Sequence, residues 1–99
     1  MTTIDLSVVS PCYNERENLP RLYAELTRVL SAMGVTYEIV LVENGSADES
    51  MPFLNELAAA DPHVKIVQLS RNFTYQGGIA AGMEHASGDH LVTIDADLQ

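Results

Sequence analysis

Two aspartates two residues apart, Asp95 and Asp97, lie in the segment TIDADLQ (Thr93–Gln99). Side chains at i and i+2 in extended chain point to the same side, so the two carboxylates converge. Like charges about 4 Å apart repel by roughly 4 kcal/mol at an effective dielectric near 20. A hard divalent ion such as Mg²⁺ or Mn²⁺, bound through carboxylate oxygens, resolves that repulsion. Gln99 adds an amide oxygen within reach of the same ion. An acidic pair after a strand is often only a solvated turn; what favours the metal here is its place at a strand's carboxyl end.

Three more polar segments concentrate unusual chemistry: PCYNERE (Pro11–Glu17), ENGSAD (Glu43–Asp48) and SRNFTYQGG (Ser70–Gly78). Pro11 and Tyr13 can wall a planar base, with Glu15 and Glu43 or Asn44 accepting from ring N–H groups or ribose hydroxyls. Equally, Pro11 ends a strand and Asn14 or Glu15 caps the turn after it. Arg71 contacts a phosphate or makes a surface salt bridge. Gly77-Gly78 allows close backbone approach or simply loosens a helix start. Cys12 reads as a small filler, because no His or Lys is placed to activate it.

Several site chemistries are missing. There is no G-x-G-x-x-G after the first strand and no G-x-x-x-x-G-K-[ST] after any strand. No G-x-S-x-G elbow occurs, and His63, His85 and His90 stand apart without zinc spacing. A phosphorylated ligand would therefore be held without a glycine cradle or a lysine, leaving a bound cation as the main neutraliser of a diphosphate.

The elements that must position these loops follow from hydrophobic periodicity. Ile4–Ser10, Tyr37–Val42, Val64–Leu69 and His90–Asp95 read as strands, the first buried and closed by Pro11. Between them, Leu19, Leu22, Tyr23, Leu26, Val29, Leu30 and Met33 form one helical stripe, with Asn18 as N-cap, Pro20 in the first turn and Gly34 as terminator. Asp48 caps a second helix that turns Met51, Leu54 and Leu57 inward and stops at Asp61-Pro62. A third helix, after Gly78, carries Ile79, Ala80 and Met83 and ends near Gly88. The order β-α-β-α-β-α-β with apolar strands predicts an α/β fold, a doubly wound, mostly parallel open sheet covered on both faces. Such sheets bind ligands beyond the carboxyl ends of their strands, which is where all four polar loops fall.

Composition narrows the function classes. The 99 residues suit one domain, and 46% apolar residues allow it a core. With 14 acidic and 5 basic residues the net charge is −9, which argues against a nucleic-acid or anionic-membrane partner. One cysteine fits a reducing compartment, MTTIDLSVVS lacks a basic leader, and no apolar run approaches the ~20 residues of a membrane span. A cytoplasmic location is expected.

Taken together, SVVSPCYNERENLPRLYAEL, YEIVLVENGSADES, VKIVQLSRNFTYQGGIAAGMEHASGD and TIDADLQ resemble the family 2 glycosyltransferases of the GT-A fold, notably the dolichol-phosphate mannosyltransferase-like branch that uses polyprenyl phosphates. They cover nearly the whole chain in the family's order and spacing. The resemblance implies a UDP- or GDP-sugar donor held by Mg²⁺ or Mn²⁺. Pro11, Tyr13 and Glu15 would contact the nucleoside, and Val42, Glu43 and Asn44 would meet base and ribose. Asp95, Ala96 and Asp97 would form the D-x-D segment, with Asp95, Asp97 and Gln99 around the metal and diphosphate. The family usually has Asp-Asp where this chain has Glu43-Asn44, which leaves the preferred base open. The resemblance ends with the donor half: the acceptor groove, the acceptor-activating residues and any membrane-attachment helices come after the D-x-D in the family. The expectation is thus a single partial domain over residues 1–99, with catalytic residues downstream, a polyprenyl phosphate acceptor, and the cytoplasmic face of a membrane as the full-length location. Two other readings compete: a non-catalytic nucleotide-binding module, and a haloacid-dehalogenase-type phosphatase. The latter places its D-x-D after the first strand rather than the fourth.

Overall fold

A computed structural model describes residues 3–48 and 50–96. The alternation is as expected: β1 (Leu6–Cys12), α1 (Leu19–Met33), β2 (Tyr37–Glu43), α2 (Ser50–Ala60), β3 (Val64–Gln68), α3 (Thr74–His85) and β4 (His90–Thr93). All strand pairs are parallel, and the sheet order is β3-β2-β1-β4. The chain winds outward from β1 through β2 to β3, then returns to place β4 on the other side of β1.

Strand alternation splits the core into two layers. Val8, Ile39 and Leu41 pack with Leu19, Leu22, Leu26 and Leu30 of α1 and Leu54 of α2. Val9, Val40, Val42 and Val67 face the other way, towards Ala81 of α3 and Ala86 just beyond it. One face thus carries α1 and α2 and the opposite face α3, the doubly wound arrangement. Strand order reverses between β1 and β4, and the crevice beyond their carboxyl ends is where such sheets hold ligands.

α3 lies unusually close to the sheet. A Cβ on Gly82 would stand 2.3 Å from Val9 Cγ1 and 3.0 Å from Val42 Cγ2. Gly78 and Gly82 are its buried residues, so the helix meets β1 and β2 largely with backbone, beside the small side chain of Ala81. Gly77-Gly78 therefore sits inside α3, which begins at Thr74 and ends at His85, earlier at both ends than periodicity suggested. Met83 and Ala80 face solvent.

Other boundaries also moved. β1 runs through Pro11 to Cys12, paired as Pro11↔Val42. The Cys12 carbonyl accepts from the Asn44 N–H on the β2 side, while that of Val9 accepts from Ile94 on the β4 side. Pro11 shares the parity of Val9, so its missing N–H faces the side where the β4 ladder has ended, which a proline tolerates. Asn18 stands at the N-cap position of α1 but makes no side-chain cap bond; its amide donates to Glu15 Oε2 at 2.7 Å. Val29 and Met33 lie outside the buried stripe. β4 stops at Thr93, leaving Ile94 and Asp95 beyond the strand.

At the amino ends of the strands a buried carboxylate ties three elements together. Glu38 Oε2 accepts from Ser7 Oγ at 2.6 Å and from the Ser87 N–H at 2.6 Å. Its Oε1 lies 3.1 Å from Lys65 Nζ. Ser7 Oγ in turn accepts from the Gly88 N–H at 2.8 Å. Burial alone would raise the Glu38 carboxyl, but these hydrogen bonds outweigh it and hold the group below its ordinary value. The network anchors the α3–β4 connection, and with it the start of the strand that leads to Asp95.

Candidate functional site

The first three polar loops meet at the carboxyl edge of the sheet, where Asp95 and Ala96 also lie, and are stitched to one another by side-chain-to-backbone bonds. Asn14 takes a left-handed backbone (φ 54°); its N–H donates to Ser46 Oγ at 2.8 Å and its Oδ1 accepts from the Ala47 N–H at 2.8 Å. The Arg16 N–H donates to Asp48 Oδ2 at 3.1 Å. Asp48 Oδ1 accepts from the Ser50 N–H at 3.1 Å, at the first residue of α2. Loops one and two thus form a single unit.

Asn44 joins that unit to the β3–α3 loop. Its Oδ1 accepts from the Phe73 N–H at 3.0 Å and its Nδ2 donates to the Thr74 carbonyl at 2.7 Å. Gly45 completes the contact at φ +77°, where a Cβ would lie 2.4 Å from the Arg71 carbonyl carbon and 2.4 Å from the Asn72 nitrogen. Only glycine combines that conformation with so close an approach. At the far side, the Tyr75 hydroxyl donates to Asp95 Oδ1 at 2.7 Å, a bond that raises the Tyr75 pKa.

These loops enclose an open pocket of about 420 Å³ beyond β1 and β4. Six of the residues singled out from sequence line it: Pro11, Tyr13, Glu15, Asn44, Asp95 and Ala96. Val42 and Glu43 do not. Val42 is buried against α3, and Glu43 is buried with Oε1 accepting the Ser46 N–H at 2.7 Å. Asp97 and Gln99 lie outside the described residues. Asn72, Thr74 and Tyr75 complete the lining and were not foreseen; the positions of their side chains depend on the α3 start, which periodicity placed too late.

The pocket's electrostatics are one-sided. Glu15 and Asp95 line it, and among the described residues no lysine or arginine does. The two nearby cations are turned onto aromatic rings instead, Arg16 at 4.3 Å over Phe53 and Arg71 at 4.1 Å over Phe73. Cys12, beneath the loops, is fully buried. Burial first, then the charges of Glu15 and Glu43, push its thiol up to about 12, so it is no nucleophile at neutral pH. Among the described residues no three His, Cys, Asp or Glu side chains gather as a metal site. The pocket's donors are nonetheless carboxylate, amide and hydroxyl oxygens with uncompensated negative charge, the set that fits a hard divalent cation.

A doubly wound parallel sheet with a polar, acidic pocket at its switch point defines an α/β domain built to hold a ligand at that edge. The sequence profile of glycosyl transferase family 2 matches residues 7–99, and the chain belongs to that family. It is 44% identical over 97 residues to an uncharacterized glycosyltransferase of Synechocystis sp., covering 98% of this chain and 30% of that protein. It is 47% identical over 96 residues to the undecaprenyl-phosphate 4-deoxy-4-formamido-L-arabinose transferase of Enterobacter sp., covering 95% of this chain and 29% of that one. The chain thus spans under a third of the length of these relatives. In fold it is similar to residues 1–349 of Staphylococcus aureus TarS in complex with UDP, with TM-score 0.80 and 20% identity over 95% of this chain and 28% of that one. It is equally similar to the Pyrobaculum calidifontis mannosyltransferase PcManGT in complex with GDP-Man and Mn²⁺, with TM-score 0.79 and 20% identity over 98% of this chain and 28% of that one. The GT-A-type α/β fold expected from sequence is therefore the one observed. Among the described residues no helix is long and apolar enough to cross a membrane.

Proposed function

We propose that this chain is the donor-binding half of a metal-dependent glycosyltransferase that moves a sugar from a nucleotide donor to an acceptor, a polyprenyl phosphate. The observation that carries the proposal is the pocket lined by Pro11, Tyr13, Glu15 and Asp95 and, among the described residues, by no cation, in a chain of this family. The complexes of TarS with UDP and of PcManGT with GDP-Man and Mn²⁺ support the donor class and the metal. The undecaprenyl-phosphate transferase of Enterobacter supports the acceptor.

Pro11 and the exposed Tyr13 ring wall the base, and Glu15 accepts from a base N–H or a ribose hydroxyl. Asp95, with Asp97 and Gln99, would hold Mg²⁺ or Mn²⁺. Bound there, the ion supplies Lewis-acid and charge stabilisation to the diphosphate leaving group. In the transfer, an acceptor oxygen forms a bond to the anomeric carbon as the bond to the diphosphate breaks. The nucleoside diphosphate leaves with the electron pair, and configuration inverts.

Calorimetric titration of UDP- and GDP-sugars into the protein as encoded by its gene, with and without Mn²⁺, tests the proposal. One donor should bind with an affinity that falls at least tenfold on chelation, as it should in Asp95→Ala. Binding that survives both changes undiminished would sink the metal-dependent reading.

A further inference from the structure

We propose that Asn44 and Tyr75 are positioning residues for Asp95: the Asn44 amide sets the Phe73–Thr74 backbone, and that backbone delivers the Tyr75 hydroxyl that orients the Asp95 carboxylate for a divalent cation. The inference rests on the metal-site reading above and gives Asn44 a different task from contact with base or ribose.

The first observation is that the Asn44 side chain already has a partner at each end, the Phe73 N–H on Oδ1 and the Thr74 carbonyl on Nδ2. The second is strain. Thr74 adopts φ +73°, an outlier for a β-branched residue. Such a conformation persists only where its surroundings over-determine it. Here the two Asn44 bonds flank it, and the Thr74 N–H donates to Asn72 Oδ1 at 2.6 Å. The third follows one residue on. Tyr75 is 50% exposed, so little packing decides its direction; the backbone before it and the bond to Asp95 Oδ1 do.

A tyrosine hydroxyl on one carboxylate oxygen leaves the other oxygen free for an ion. Outer partners of this kind orient ligating groups, and removing them typically weakens metal binding 10–100-fold. The amide of Asn44 matters as an amide. A carboxylate there could accept from Phe73 but could not donate to the Thr74 carbonyl, and would face that oxygen with like charge. An amide rather than a carboxylate at position 44 thus has a structural consequence in this chain.

The test is titration of Mn²⁺ alone into the protein as encoded, read as free Mn²⁺ by electron paramagnetic resonance, alongside urea midpoints. Tyr75→Phe should weaken Mn²⁺ binding about tenfold with an unchanged midpoint. Asn44→Asp should weaken it comparably, and the double variant by no more than the larger single loss, since both act through one path. Wild-type affinity in Tyr75→Phe, beside lost affinity in an Asp95→Ala control, would overturn the inference and leave the metal site standing. So would additive losses in the double variant. Wild-type affinity in Asp95→Ala would overturn the metal site itself. Should the Asn44 variant fail to fold, the exposed Tyr75→Phe change still decides the role of the hydroxyl.

Discussion

Glu38 provides the sharpest test of how the strand leading to Asp95 is held. Its side chain is 6% exposed and accepts from Ser7 Oγ and from the Ser87 N–H. Glu38→Ala removes both acceptor positions at once. A buried donor left without a partner costs about 1–3 kcal/mol. The Lys65 pair adds less than about 1 kcal/mol, because the Lys65 side chain is 39% exposed and screened by water. Water entering beside Lys65 can satisfy one donor, so the expected loss is about 3 kcal/mol. Glu38→Gln keeps the one oxygen that accepts from both Ser7 and Ser87 and loses the charge and the Lys65 pair on Oε1, so it should cost about 1 kcal/mol. With a urea slope of about 1–3 kcal/mol per molar, the alanine variant should lower the midpoint by at least about 1 M. The pH dependence has a definite sign. The folded-state pKa of Glu38 lies below its ordinary value, so its contribution is full above the unfolded carboxylate range near pH 4.3 and is lost as pH falls through the folded pKa. The gap between wild type and Glu38→Gln should therefore narrow on acidification. An alanine variant within about 0.5 kcal/mol of wild type at neutral pH would refute the reasoning, since surface substitutions cost no more.

Other consequences are simpler to check. Cys12, buried with its pKa near 12, should resist iodoacetamide at pH 8 in the native protein and be alkylated once urea unfolds it. Gly45→Ala should destabilise by about 1–3 kcal/mol, because φ is +77° and the added Cβ would overlap the Arg71–Asn72 peptide. The same change should weaken nucleotide binding, which competition calorimetry would read. Tyr23→Phe removes a 2.6 Å bond from Tyr23 to Asp61 and should cost about 1 kcal/mol in urea titration.

Much of the architecture was legible because the strands are continuous apolar runs and the helices fall between them. Val8, Ile39 and Leu41 on one face and Val9, Val40 and Val42 on the other are where period-two alternation puts them. Misjudged boundaries share a cause: Pro11 and Gly77-Gly78 are usually breakers, and tertiary context overrode that habit. Pro11 is tolerated because the β4 ladder has ended beside it. The glycines serve α3 because Gly78 would otherwise press on Asn44 and Pro11, each 2.9 Å from its Cβ position. With α3 begun too late, Thr74 and Tyr75 were read as loop, and the bond from Tyr75 to Asp95 was invisible. The pocket members Pro11, Tyr13, Glu15 and Asp95 were legible because they stand at or just beyond the carboxyl ends of β1 and β4, where a parallel sheet opens its crevice. Val42 was different: on a strand buried on both faces, its parity pointed it at α3. The cations Arg16 and Arg71 were ambiguous in sequence, since nothing in their spacing shows that Phe53 and Phe73 would take them.

Paramagnetic relaxation by Mn²⁺ in the presence of the bound nucleotide sugar tests most directly that the pocket between β1 and β4 holds the donor and its ion. Amide resonances of Tyr13, Asn72, Tyr75 and Asp95 should broaden first, while those of Glu38 and Ser87 at the opposite end of the strands stay sharp. Broadening that begins at Glu38 and Ser87, or that spreads evenly over the sheet, would contradict it.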